Sequence, residues 1–410
     1  MTVETHTMEG SLHKAMVAWQ ERHFRDYRYL VERWSRFYVN EPFRLVSKLA
    51  PLKEETIEVG EKKGRARFRQ AREMDEETLA RCRSIIRAQA STELGSIQQH
   101  RESLHKAADE RLQFDVLRVM AEEYRHGYQM MYLLASDDWG ANVAQETIDE
   151  ILSMETGSHV LDAFNVYFDS FVDNIVFAAV IDRVGKYQLS MQRVFAYAPM
   201  AQSMMPMLVE EAFHLTTGVE PLKRWVRDAA LDRGNISIES IQRHLNKWIP
   251  RGLEMFGDER GGETNVRLGL KDLTNAEAIE RYHHECQEEV VDVLNIEIVR
   301  AKKGARVPRE QALETARRIL ETGETVDDVG PGELLLLPPK NFFRRRGVHA
   351  FEMCDFDGRA FGSLDDYLST LRRSLPEAYV SGKDVSTYIE NLRKHHGGVR
   401  IQEGRLPFYG

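Results

Sequence analysis

Two stretches decide how this chain folds: AEEYRHGYQM, from Ala121 to Met130, and EEAFHLTTG, from Glu210 to Gly218. Each holds a Glu followed three residues later by a His, Glu123 with His126 and Glu211 with His214. Residues three apart share one face of a helix, so both side chains of a pair can point at one ion. Carboxylate-bridged metal bundles take such a pair from each of two helices and one further carboxylate from each of two others. A single pair says little, because His105 after Glu102 and His283 after Glu280 repeat the same spacing.

The longer intervals discriminate. Glu93 lies 30 residues before Glu123, and Asp182 lies 29 before Glu211. At about 1.5 Å of rise per residue, either interval climbs one helix, turns, and descends the next to the same height. Two helical hairpins then each present one carboxylate and one Glu-x-x-His at matching depth. The surroundings read as interior: IVFAAVI (Ile175 to Ile181) runs into Asp182, and Met204 to Val209 is apolar before Glu210. A carboxylate beside such runs must be paired, protonated or bound to a cation. Glu102 falls nine residues after Glu93, roughly the opposite face at about 100° per residue, and Glu280 with His283 sits in the polar run EAIERYHHECQEE. The expected metal ligands are therefore Glu93, Glu123, His126, Asp182, Glu211 and His214. Four carboxylates and two imidazoles suit two iron ions, or a manganese–iron pair, better than a thiolate-seeking metal. Four carboxylates also balance the charge of two divalent ions.

The rest of the chain fits a mainly α protein. Apolar residues recur at helical spacing from Ser11 to Val39, and Pro42 and Pro51 then interrupt the pattern. Lys53 to Arg72 is a highly charged loop or exposed helix. Helices are expected from Asp75 past His100, over Arg111 to Ala135, and after the SDDWGAN turn (Ser136 to Asn142). Others are expected over Val160 to Val184, Tyr187 to Thr216, Ser237 to Trp248 and Asn275 to Ala301, with Pro206 kinking or ending its segment. The stretch Val326 to Arg346, with GPGE and Pro338-Pro339, reads as loop. The boundaries follow: an N-terminal helical extension over 1–75, the bundle over 76–320, and a loop-rich, mixed C-terminal appendage over 321–410. A net charge of -9 argues against gripping nucleic acid, which needs clustered Lys and Arg. No apolar run approaches a membrane span, and Met1 to Ser11 lacks the basic and apolar regions of a signal peptide. Cys82, Cys286 and Cys354 form no CxxC pair and fit a reducing cytoplasm. No GxGxxG lies between a strand and a helix, so reducing electrons must come from a separate protein.

On the strings AEEYRHGYQM and EEAFHLTTG, and on the order Glu, Glu-x-x-His, Asp, Glu-x-x-His, the chain resembles the ferritin-like di-iron oxygenases that epoxidise aromatic acyl-CoA thioesters. The long gap from His126 to Asp182 matches the benzoyl-CoA 2,3-epoxidase type better than the phenylacetyl-CoA type. The resemblance is strong over Ile85 to Gly218 and elsewhere one of general layout. It implies a ferritin-like bundle, two iron ions on the six ligands, and Glu123 and Glu211 as the usual bridging, catalytic carboxylates. It implies O2 as co-substrate, an NAD(P)H-dependent reductase as partner, an aromatic acyl-CoA substrate, and room for a homodimer. One oxygen atom would enter the aromatic ring and the other leave as water. Tyr128, Gln129, Phe177 and Phe213 fall within about a turn of the ligands and are candidates for lining a substrate cavity. Lys340, Arg344, Arg345 and Arg346 are candidates for the CoA phosphates. Oxygenation of an aromatic amine nitrogen, expected to add a third His at the site, and a non-catalytic ferritin-like metal store are the alternatives.

Overall fold

The chain opens with β1 (Glu4–His6), α1 (Gly10–His23) and α2 (Asp26–Phe37), then β2 (Ser47–Leu49), which pairs antiparallel with β1. The computed structural model describes residues 2–39, 42–140, 142–156, 159, 161–257, 259–340, 351, 352, 361, 363–375, 400 and 401. The expected continuous helix from Ser11 to Val39 is two helices. The chain leaves helical geometry at Phe24, whose N–H still closes on Gln20 O at 2.8 Å while its ring is fully buried.

The next two helices start where their caps dictate. The Asp75 carboxylate accepts the Thr78 N–H at 3.0 Å and opens α3 (Glu76–Ser103); Asp109 accepts from Leu112 N–H at 2.8 Å and opens α4 (Glu110–Leu134). Such caps satisfy backbone donors that the helix itself leaves unpaired. In α3, acidic Glu76 and Glu77 stand in the first turn and basic His100 and Arg101 in the last, as the helix dipole favours. From Val119 to Leu134 nearly every side chain of α4 is buried, so this helix is surrounded by protein rather than lying on a surface.

A short α5 (Val143–Ile151) precedes α6 (Phe171–Met191) and α7 (Ala198–Ala230). Two expectations fail here. The helix expected over Val160 to Val184 is described from Phe171, Val160 itself lying outside the described residues. Asn165 accepts the His159 N–H at 2.7 Å and donates to the His159 carbonyl, a side-chain substitute for helix bonding that holds the approach to α6 as a loop. One helix does not span Tyr187 to Thr216 either. Phe68 donates to Ala196 O at 2.9 Å and accepts from Ala198 N–H at 2.8 Å, so a distant segment takes the peptide groups that would have joined α6 to α7. Pro206, expected to kink or end its segment, lies inside α7 without ending it.

The chain continues through α8 (Ile238–Glu254), α9 (Glu259–Arg267), α10 (Asn275–Cys286), a π turn over Gln287–Val291, α11 (Asp292–Lys303), α12 (Arg309–Thr322) and α13 (Leu364–Ser374). The strand pair β3 (Phe351–Glu352) and β4 (Arg400–Ile401) is the described remainder of the C-terminal region. The protein is mainly helical. Among the described residues, no helix is long and apolar enough to cross a membrane.

The chain divides into two compact units, each discontinuous in sequence. The first comprises Met1–Phe171, Gly185–His214 and Gly257–Glu277; the second comprises Val172–Val184, Leu215–Phe256 and Ala278–Gly410. Both α6 and α7 contribute residues to each unit. In the second, Gly218 lets α7 cross α6 closely: a Cβ there would stand 2.2 Å from the Ala179 backbone nitrogen.

Lys271, in the first unit, is only 6% exposed and donates to Gln188 Oε1 at 2.6 Å. Burial, and then the Arg81 charge, pull its amine down to about 8 from 10.5. Below pH 8 both folded and unfolded chains carry this proton, and the folded state bears the full penalty. Between about pH 8 and 10.5 only the unfolded state keeps it, so stability rises with pH there, by at most about 1.4 kcal/mol per unit. Denaturant unfolding at pH 7 to 10 should show this rise in the wild type and lose it in Lys271→Met. A rise of equal size in the variant would assign it to other groups.

Candidate metal centre

Glu93 projects from α3, Glu123 and His126 from α4, Asp182 from α6, and Glu211 and His214 from α7, and all six are buried. Glu93, Glu123 and His126 offer ligand atoms within 4.8 Å of one another in the first unit, and Asp182 belongs to the second. His126 Nδ1 stands 3.5 Å from Glu93 and 3.7 Å from Glu211, while His214 Nδ1 stands 3.2 Å from Glu123 and 3.4 Å from Glu211. The two imidazole centroids are 5.8 Å apart.

Two further carboxylates complete the arrangement. Glu210 Oε2 lies 3.0 Å from His126 Nε2, and Glu122 Oε2 lies 3.1 Å from His214 Nε2. The pairing of 126 with 210 and of 122 with 214 shows that α4 and α7 run antiparallel. Each His is thus held through Nε2 by the Glu that precedes the other helix's inward-facing Glu. With Nε2 turned to these carboxylates, Nδ1 faces inward and is the nitrogen that would be offered to a metal once its proton leaves. Sequence reading missed Glu122 and Glu210, although the Glu-Glu-x-x-His doublet repeats in both strings. The cations follow the same plan: Arg118 Nε lies 3.0 Å from Glu122, and Glu210 is paired with Arg125 and, at 2.9 Å, with Lys48.

The electrostatics ask for a cation within. The outer carboxylates are compensated by Arg and Lys, whereas Glu93, Glu123 and Glu211 face the imidazoles. Burial, and then the charge of Glu93, push the Glu123 carboxyl well above its ordinary range. Burial acts on Glu93 in the same direction, but its neighbours Glu123 and His126 outweigh it and lower that carboxyl. Burial alone would lower both imidazoles; Glu210 and Glu93 instead raise His126 to about 10, and Glu211, Glu122 and Glu123 raise His214. Protons occupy the place of positive charge in this cluster, and metal binding would release them. His126 Nδ1 and Glu211 Oε2 are buried and make no hydrogen bond, an omission that a bound ion would repair. The donor set fits two hard-to-borderline divalent ions.

The other candidates sit elsewhere. Tyr128 is buried, and its hydroxyl accepts the Met8 N–H at 2.6 Å. Gln129 bridges the Lys48 N–H and Ser203 Oγ. Phe177 packs edge-on against Trp248, and the Phe213 ring lies 3.6 Å beneath the Arg118 guanidinium. Lys340 pairs with Glu280; Arg344, Arg345 and Arg346 lie outside the described residues. The spare pairs are engaged otherwise: Glu102 accepts from Phe168 N–H at 2.7 Å, and His283 Nε2 meets Pro338 O at 2.9 Å.

No family model matches the chain. Over 348 residues, covering 77% of this chain and 72% of the relative, it is 28% identical to benzoyl-CoA oxygenase component B of Aromatoleum evansii. At that identity the similarity is distant.

Proposed function

We propose that this chain is the oxygenase component of a multicomponent system, built on a ferritin-like di-iron bundle and acting on an aromatic acyl-CoA thioester, benzoyl-CoA first. One observation carries the reading: the two Glu-x-x-His pairs, 88 residues apart in sequence, meet in one buried cluster in which Glu93, Glu123 and Glu211 face both imidazoles. Glu93 and His126 would serve one ion and Asp182 and His214 the other, with Glu123 and Glu211 common to both. When bound, the two irons supply the electrons that reduce O2 so that one oxygen atom enters the ring. The protein's own part is positional. Glu122 and Glu210 fix both imidazole tautomers, and Arg118, Arg125 and Lys48 fix those carboxylates. The buried walls of α4 keep bulk water from the reacting atoms. The relative's designation as a component B favours a separate electron-donating partner, proposed to be an NAD(P)H-dependent reductase.

The test is metal content on protein produced with iron, followed by O2 uptake with benzoyl-CoA and a reductase. About two irons per chain and substrate-dependent O2 uptake are expected. Stoichiometric iron without uptake on any aromatic thioester would favour the storage reading, and protein that binds no transition metal would end both.

A further inference from the structure

Pro206 has no N–H to offer the carbonyl four residues earlier in α7. That carbonyl, Gln202 O, accepts the Ala50 N–H at 2.9 Å instead. Two residues back along the same segment, Gln129 Oε1 accepts the Lys48 N–H at 2.5 Å, and Gln129 itself is anchored to Ser203 Oγ at 2.9 Å. β2 is therefore docked onto α4 and α7 through backbone groups, with Lys48 opposite Thr5 of β1. This docking delivers the Lys48 ammonium to Glu210 Oε1 at 2.9 Å, with the side chain 28% exposed.

The two His supports otherwise match. Arg118 holds Glu122, which holds His214; Arg125 holds Glu210, which holds His126. Each guanidinium also lies over aromatic rings, Arg118 over Phe213 at 3.6 Å and Arg125 over Phe43 at 4.5 Å. Lys48 is the difference: among the described residues Glu210 pairs with both Arg125 and Lys48, and Glu122 with Arg118.

We propose that Lys48 is a positioning residue that makes the two halves of the centre unequal, leaving the His126 side the weaker binder of a divalent ion. A carboxylate that accepts from a ligating imidazole raises the donor strength of its other nitrogen. A second positive charge on Glu210 drains that effect from His126, and the ammonium also repels a dication beyond the ring. Arg125 remains on Glu210 when Lys48 is removed, so the carboxylate keeps its place and the electrostatic effect decides the sign. The inference rests on the metal-centre reading above.

The experiment is titration of the metal-free full chain with Co(II), followed by its visible absorption, in wild type, Lys48→Met and Lys48→Arg. The wild type should bind in two unequal steps. Lys48→Met should tighten the weaker step about tenfold, the low end of outer-shell effects on metal sites, and leave the tighter step within twofold. Lys48→Arg should keep the wild-type gap. A gap unchanged in Lys48→Met overturns the proposal, and so does a weaker step that weakens further, since Lys48 would then act by holding Glu210 in place. A wild type that binds no Co(II) stoichiometrically overturns the metal-centre reading itself. Melting of the metal-free proteins separates these outcomes from a fold defect, because a merely structural role would shift the melt and not the gap between steps.

Discussion

Glu123→Gln will empty the centre of metal and, in the same protein, stabilise the metal-free fold. The two effects have one cause. Glu123 lies beside Glu93 and His126, stands 3.2 Å from His214 Nδ1 and is 5% exposed, so its carboxylate is the negative charge that both ions need. Without metal the same carboxylate is a liability, buried beside Glu93 and held well above its ordinary range by burial and by that neighbour. A carboxyl whose folded pKa is raised costs stability as pH climbs from its unfolded value, near 4.5, through the folded one, because the folded chain must keep a proton that the unfolded chain has released. Gln keeps the shape and removes the charge. Bound iron should fall from about two per chain to near zero. The metal-free variant should melt above the metal-free wild type at neutral pH, with a flatter dependence on pH. Iron analysis and thermal melts with and without chelator measure both. Retention of two irons in Glu123→Gln would mean that these six side chains are not the metal site.

Lys247→Met should cost about 3–5 kcal/mol, the range for stranding one partner of a buried ion pair. Lys247 Nζ lies 2.8 Å from Asp173 Oδ1, Trp248 Nε1 donates to the same oxygen at 2.9 Å, and His244 Nε2 stands 3.6 Å from Oδ2. Asp173 and Lys247 are both fully buried. Burial alone would raise the Asp173 carboxyl, but Lys247 and then His244 hold it far below the ordinary carboxylate range. Its stabilising contribution is therefore present above the unfolded value near 3.8 and is lost only as pH falls well below it. The double variant Asp173→Asn with Lys247→Met should recover most of the loss, since an uncharged pair carries no stranded carboxylate. Urea unfolding of the metal-free proteins measures this. A single variant within about 1 kcal/mol of wild type would show that the cluster carries little of the unit's stability. Metal bound per folded chain should not change, because this network does not include Glu122 or Glu210, which hold the two imidazoles.

Much of this protein was legible in one dimension. Asp75 and Asp109 announce the helices they cap, because a side-chain oxygen can satisfy only nearby backbone donors. The Glu-x-x-His pairs and their 29- and 30-residue leads reveal a shared height, because a helix converts residue number into distance at a constant rate. What sequence could not carry were interactions whose partners are remote. The break between α6 and α7 is written in Phe68, the loop before α6 in a side chain of Asn165, and the tolerance of Pro206 in the use that Ala50 makes of its vacated carbonyl. Glu122 and Glu210 look like surface charge beside their neighbours. Only the antiparallel pairing of α4 with α7 turns each towards the other helix's His. Local hydrogen bonds and helical period act over a few residues and are therefore readable from order alone. The charge balance of a buried site depends on which distant chains share it, and only the tertiary structure decides that.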